Sequence, residues 1–96
     1  MHTEHAIVIA RHVGYALAYL GSRKTPPGRL KRDTSGALRV STTQLVEGRH
    51  CDWSETDVAQ AITRPKALAA LLEITAEAEL GVECEAGGVF VIRRLS

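Results

Sequence analysis

The sequence predicts an α+β domain with about three main helices, a short strand and a C-terminal β-hairpin. Three observations predict it. Apolar residues recur at helical spacing in two stretches, beginning at Ala6 and at Ala67. A Thr63-Arg64-Pro65 break joins a short helical segment to a longer one, and Gly87-Gly88 separates two alternating runs near the C-terminus. At 96 residues the chain is read as a single domain, 1–96, with room for a modest core. Apolar residues make up 45% and aromatic residues 4%, so the core must be built from Leu, Ile, Val and Ala.

Thr3 is expected to cap the first helix, with Glu4 in its first turn complementing the helix dipole. Ala6, Ile9, Val13, Ala16, Leu17 and Leu20 then fall on one face, which predicts a helix over 3–20 closed by a left-handed Gly21. Residues 22–36 contain Pro26-Pro27-Gly28 and show no apolar period, so a loop is expected there. Two readings of it stand side by side: a flexible basic arm for phosphates, or a solvated excursion without a role. Leu38 and Val40 flanking Arg39 predict a half-buried strand over 37–41. Thr42 and Thr43 ahead of Gln44-Leu45-Val46-Glu47 and Gly48 predict one or two helical turns, and 49–53 a connection.

Ser54 followed by Asp57 resembles a capping box, opening a short helix that turns Val58, Ala61 and Ile62 inward. Pro65 fits only the first turn of a helix, so a new helix starts there. It is expected to run to Leu80 and end at Gly81, with Ala67, Leu68, Leu71, Ile74 and Ala78 inward and Lys66, Ala69, Glu73, Ala76 and Glu77 outward. Gly87-Gly88 predicts a two-residue hairpin turn, because primed turns need positive φ. That register sets Ala86 opposite Val89 and Cys84 opposite Val91, so Phe90 and Ile92 share a face with Glu83 and Glu85. Such a pair is either covered by Trp53 or the first helix, or exposed as a contact surface.

Charge is unevenly distributed. Between Gly21 and Val40 lie Arg23, Lys24, Arg29, Lys31, Arg32 and Arg39 against Asp33, a balance of +5. Between Ser54 and Ala86 the acids Glu55, Asp57, Glu73, Glu77, Glu79, Glu83 and Glu85 face only Arg64 and Lys66, a balance of −5. This asymmetry speaks about partners, although the two halves can also attract each other.

No motif announces chemistry. His2, His5 and His12, with His50-Cys51, give no convergent four-ligand set, so no metal and no cofactor are expected. No Cys-x-x-Cys, His-Glu-x-x-His or P-loop pattern occurs, and the Glu77/Glu79 and Glu83/Glu85 pairs read as solvated faces, so an enzyme is not expected. The basic loop lacks interleaved aromatics, which gives no signal for single-strand stacking. Tyr15 and Tyr19, four residues apart, read as a small exposed stripe or as the edge of the core. Cys84 reads as a small buried hydrophobe, and nothing in its context or that of Cys51 demands a disulfide. No apolar run approaches a membrane span, and His2, Glu4 and His5 stand where a signal sequence would be basic. A cytoplasmic, membrane-free location is the expectation.

The order helix, strand, short helix, helix, hairpin resembles winged helix-turn-helix domains. The stretch carrying the resemblance is Asp57-Val58-Ala59-Gln60-Ala61-Ile62, Thr63-Arg64-Pro65, the helix around Leu68 and Leu72, and the Gly87-Gly88 wing. The layout is also similar to small C-terminal domains of phage and plasmid replication proteins, in which a single Trp precedes the last helix, the place Trp53 holds here. The resemblance implies a DNA-binding module of a replication, regulatory or mobile-element system, with the last helix in the major groove. Thr63, Arg64 and Lys66 would then face the groove, Arg49 would flank it, and Arg23, Lys24, Arg29, Lys31, Arg32 and Arg39 would contact phosphates. The sequence departs from the pattern at Glu73 and Glu77 on that helix, and at a wing with Glu83, Glu85 and a glycine tip. Arg93 and Arg94 lie beyond the wing. The alternative implied by such an acidic variant is a protein-interaction module, a phage-type inhibitor or adaptor, that uses Glu73, Glu77, Phe90 and Ile92 toward a protein partner or a second copy.

Overall fold

A computed structural model of the chain describes residues 1–95. The elements are α1 (Thr3–Ser22), β1 (Leu38–Ser41), α2 (Thr42–Glu47), α3 (Glu55–Ile62), α4 (Pro65–Glu77), β2 (Leu80–Glu85) and β3 (Val89–Arg94). The architecture is α+β, as expected, with four helices and one three-stranded antiparallel sheet in the order β1-β3-β2 among the described residues. The isolated strand thus joins the hairpin, pairing Leu38 with Ile92 and Val40 with Phe90.

The first helix is longer than its periodicity suggests, and its ends differ from expectation. His2, not Thr3, is the N-cap, its Nδ1 accepting from the Glu4 amide at 3.4 Å. Gly21 is not a left-handed terminator but a buried helical residue. A Cβ there would stand 2.7 Å from Ile92 Cγ2 and 2.8 Å from Leu80 Cδ1, so the glycine lets α1 close onto the sheet. Gly14 does the same toward α4, where a Cβ would meet Leu71 Cα and O at 3.3 Å. The core between these surfaces is Ile9, Val13, Leu17 and Leu20 against Leu71, Leu80, Phe90 and Ile92, all buried.

The later helix starts follow the cap chemistry, with a second displacement at α2. Ser41 caps α2 in place of Thr42 or Thr43: its Oγ accepts from the Gln44 amide (3.0 Å), and Gln44 Oε1 accepts from the Ser41 amide (2.9 Å). Thr42 instead holds the hairpin tip, its amide and Oγ1 both donating to the Gly88 carbonyl at 2.8 and 2.9 Å. Ser54 caps α3 (Asp57 N, 3.2 Å), and Pro65 opens α4 directly after Thr63-Arg64.

The last helix is shorter than predicted. It ends at Glu77, Glu79 turns at φ 61°, and Leu80 already begins β2, which leaves Gly81 inside a strand. Leu80 is 3% exposed, so the core demands its side chain from the strand, under Gly21, and the helix must stop before it. The buried positions of α4 are Ala67, Leu71 and Thr75, with Leu68, Ile74 and Ala78 half-buried. Thr75 is satisfied by donating to the Leu71 and Leu72 carbonyls, at 3.3 and 3.0 Å.

The hairpin is displaced by one residue from the predicted register. Glu85 pairs with Val89 and Cys84 with Phe90, so the tip is the three residues Ala86, Gly87 and Gly88, with the two glycines at φ 83° and 74°. A one-residue shift exchanges the faces of a strand. Phe90 and Ile92 now stand with Leu38, Val40, Val82 and Cys84 on the helix-facing side, and both are 0% exposed. They are core, packed in one cluster with the first helix as the reading of intramolecular cover has it, and the alternative contact surface at Phe90 and Ile92 is not there. Glu83 and Glu85 move to the other face with Arg39, where Arg39 pairs with Glu85 across the central strand. Such an exposed pair adds at most about 1 kcal/mol.

Two substitutions check this packing. Gly21→Ala drives a methyl into Ile92 Cγ2, which is fixed to a branched Cβ. The overpacking cost exceeds the gain in helix propensity, for a net loss of about 1–2 kcal/mol in urea unfolding. Phe90→Glu buries an unpaired carboxylate and is expected to abolish the cooperative transition seen by circular dichroism. A well-folded Phe90→Glu variant would contradict the observed register.

Candidate functional site

The basic segment 22–36 is a folded excursion with several anchors. Leu30 is inserted into the core. The Arg32 guanidinium donates to the carbonyls of Gly21 (2.7 Å), Arg23 (3.1 Å) and Gly36 (3.2 Å), tying the helix end to the return of the loop. The Arg32 backbone also forms an antiparallel bridge with Leu38, the first residue of β1. Asp33 Oδ1 accepts from Ser35 Oγ (2.6 Å), Ser35 N (2.8 Å) and Ala37 N (3.0 Å), an Asx-type turn. The Ser35 hydroxyl is the main reason its carboxyl lies below the ordinary 3.8; the Ala37 and Ser35 amides and the nearby Arg93 act in the same direction, against partial desolvation.

The sheet register brings the end of β3 to this loop. Leu38 pairs with Ile92, so the residues before Leu38 run beside Arg93 and Arg94. Between them lies an open depression of about 440 Å³ lined by Lys24, Arg32, Ser35, Gly36, Arg93 and Arg94. Four cations and a hydroxyl line it, and among the described residues no carboxylate does. A second hollow of about 330 Å³, lined by Ser22, Lys24, Ala78, Glu79, Leu80 and Arg94, continues it through the shared Lys24 and Arg94. Guanidinium and ammonium groups at a concave surface favour phosphate oxygens.

The other site residues expected from the sequence are scattered. Arg23 lies over the Tyr19 ring at 5.2 Å from its centroid and donates to the Tyr19 hydroxyl at 2.6 Å. Arg29 lines a separate hollow with Pro27, Gln44, Glu47 and His50, while Lys31 is exposed. Arg39 is engaged with Glu85. Arg49 is exposed after α2, at φ 56°. Thr63 Oγ1 donates to the Gln60 carbonyl at 2.6 Å, Arg64 donates to the Met1 carbonyl, and Lys66 is exposed.

Arg64, Pro65 and Lys66 line a hollow with Thr3, at the start of α1, whereas the basic loop leaves from the end of α1. Twenty residues of helix span about 30 Å, so the two halves of the expected nucleic-acid surface form two separate clusters. Glu73 and Glu77 are exposed on α4, in a small groove of about 190 Å³ with Arg11, Tyr15, Ala70 and Ile74.

Arg93, Arg94 and Ser35 were not legible as site residues. Their only signal was the charge of an Arg-Arg pair after the hairpin, and its position beside the loop depends on β1 pairing with β3. Among the described residues no group of three His, Cys, Asp or Glu can hold a metal ion, and no helix is long and apolar enough to cross a membrane. Cys51 and Cys84 are free; Cys84 is exposed near the hairpin tip and not the buried hydrophobe expected, and partial desolvation pushes its thiol up, which disfavours the thiolate. The chain matches no family model, no curated protein and no solved structure.

The Asp33 turn gives a pH signature. Its folded pKa is depressed, so its contribution to loop order is complete above the ordinary carboxylate value and is lost as pH falls through the lower folded value. An NMR titration of the Asp33 carboxyl should show a midpoint below 3.8, with the Ala37 and Ser35 amides shifting in step. A midpoint at or above 3.8 would mean that the turn does not hold in solution.

Proposed function

We propose that this domain is a winged-helix-like module that binds nucleic acid by its phosphates, through the depression between the basic loop and the end of β3. The observation that carries the reading is the convergence of Lys24, Arg32, Arg93 and Arg94 on one concave surface, from segments far apart in the chain. The winged-helix part is supported by the element order, the β1-β3-β2 sheet and the tight α3–α4 connection. The setting in this reading is cytoplasmic, and binding requires no catalytic step.

The phosphate face of this proposal is not the groove-reading face implied by the resemblance. Arg64 is tied to the Met1 carbonyl, α4 presents Glu73 and Glu77, and the glycine tip is tied to Thr42. The rival reading, a protein-interaction module, keeps Glu73 and Glu77 but cedes Phe90 and Ile92 to the core.

Fluorescence anisotropy with nucleic acid across a salt series tests the assignment. The Arg93→Glu/Arg94→Glu variant should weaken binding to all sequences alike and reduce the salt slope by about 2, one for each phosphate that is no longer neutralised. Lys66→Glu, at the far end of α1, should change affinity much less. Equal binding by wild type and the double-arginine variant would remove the depression as the phosphate site.

A further inference from the structure

We propose that the nucleic acid bound here is single-stranded, and that its bases stack on Tyr19 and Tyr15 along the outer face of α1 as they leave the basic depression. The inference rests on the reading of that depression as a phosphate site.

Tyr15 and Tyr19 are 63% and 56% exposed, the first helix covering its inner face while these two rings remain in solvent. They are four residues apart, so they lie on one side of the helix; Arg11 precedes them at the same step, and Arg23, the extended residue that follows the helix, reaches back to Tyr19. The row Arg11, Tyr15, Tyr19 therefore advances about 6 Å per residue named. Arg23 fixes the Tyr19 ring, lying over it at 5.2 Å and hydrogen-bonding its hydroxyl at 2.6 Å. A guanidinium held against an aromatic ring offers flat, cationic and preordered surface to a base. The next residue, Lys24, lines the depression, and the Arg23 carbonyl accepts from Arg32, which lines it too. The aromatic row thus runs directly into the cationic hollow.

Aromatic surface beside a cationic track is the combination that holds unpaired strands, because every base has a face to stack and every nucleotide a phosphate. A duplex keeps its base faces stacked on one another, about 3.4 Å apart along each strand. It cannot offer them at the wider spacing of this row, whereas a single strand can. Glu73 and Glu77 border Tyr15 on the α4 side and repel phosphate there. Phosphates accordingly gather at the Arg23 and Lys24 end, and Tyr19 carries more of the stacking than Tyr15. The loop itself has no aromatic residue; the rings come from the preceding helix, which is why the loop's own composition concealed the arrangement.

The test measures anisotropy of an oligothymidylate of about 20 nucleotides and of a duplex of the same length, each across a salt series. It uses the full chain, Tyr15→Ala/Tyr19→Ala, Tyr19→Phe and Arg93→Glu/Arg94→Glu. Wild type is expected to prefer the oligothymidylate. The double-tyrosine variant should lose roughly tenfold or more on it with little change on duplex, and Tyr19→Phe, which keeps the ring but not its bond to Arg23, should lose much less. Circular dichroism confirms folding of each variant. Unchanged oligothymidylate binding by the double-tyrosine variant would overturn the stacking proposal, as would equal losses on both probes. In either case a large loss in the arginine variant would leave the phosphate reading standing. Absence of binding to both probes at low salt would overturn the two readings together.

Discussion

The rest of the molecule depends on how closely the first helix approaches its two neighbours. Gly14 lets α1 lie against the backbone of α4 at Leu71, and Gly21 lets its last turn lie against Leu80 and Ile92 of the sheet. A glycine inside a helix costs about 0.5–1 kcal/mol relative to alanine, so two of them on one buried face trade local helix stability for close packing. From that docking follow the burial of Phe90 and Ile92, the early end of α4 before Leu80, and the exit point of the basic loop.

The same docking leaves the opposite side of α1 bare. A helix packed on one face exposes the other, and here that face carries Arg11, Tyr15, Tyr19 and the start of the basic segment. Arg32 then draws the loop back onto the helix end through the Gly21 carbonyl, and Asp33 turns it into β1. A charged side chain that serves the fold this way is still a charge in the surface field. Arg32 both shapes the depression and contributes to its potential.

The charge asymmetry of the chain is only partly neutralised internally. Arg39 meets Glu85 across the sheet, but Lys24, Arg93 and Arg94 gather near the end of α1 while Glu73 and Glu77 lie on α4. Asp33 lies near Arg93, and Glu79 lines the adjoining hollow with Lys24 and Arg94, so part of this charge is met within the chain and the rest faces solvent. In the proposed reading phosphate meets the solvent-facing part of that charge, and the exposed tyrosines supply the apolar part of the same contact.

Element types were legible in the sequence because they are written in local periods and local caps. The apolar face of α1, the Ser54 cap, the Pro65 start and the paired glycines of the hairpin each depend on residues within one or two turns of each other. The α+β class, the single α1 face and most element positions follow from them. The candidate site was legible only as a basic segment. Its partners Arg93 and Arg94 are about sixty positions away in sequence, and no local pattern specifies that β1 joins β3. The faces of the hairpin were likewise decided by tertiary packing: a tip of two or three residues fits the same glycines, yet the choice exchanges core and solvent for every side chain on the strands. Gly21 shows the same division. The sequence makes it a left-handed terminator by propensity, and the sheet beneath it keeps it in the last helical turn, because only a residue without a Cβ fits that close to Ile92.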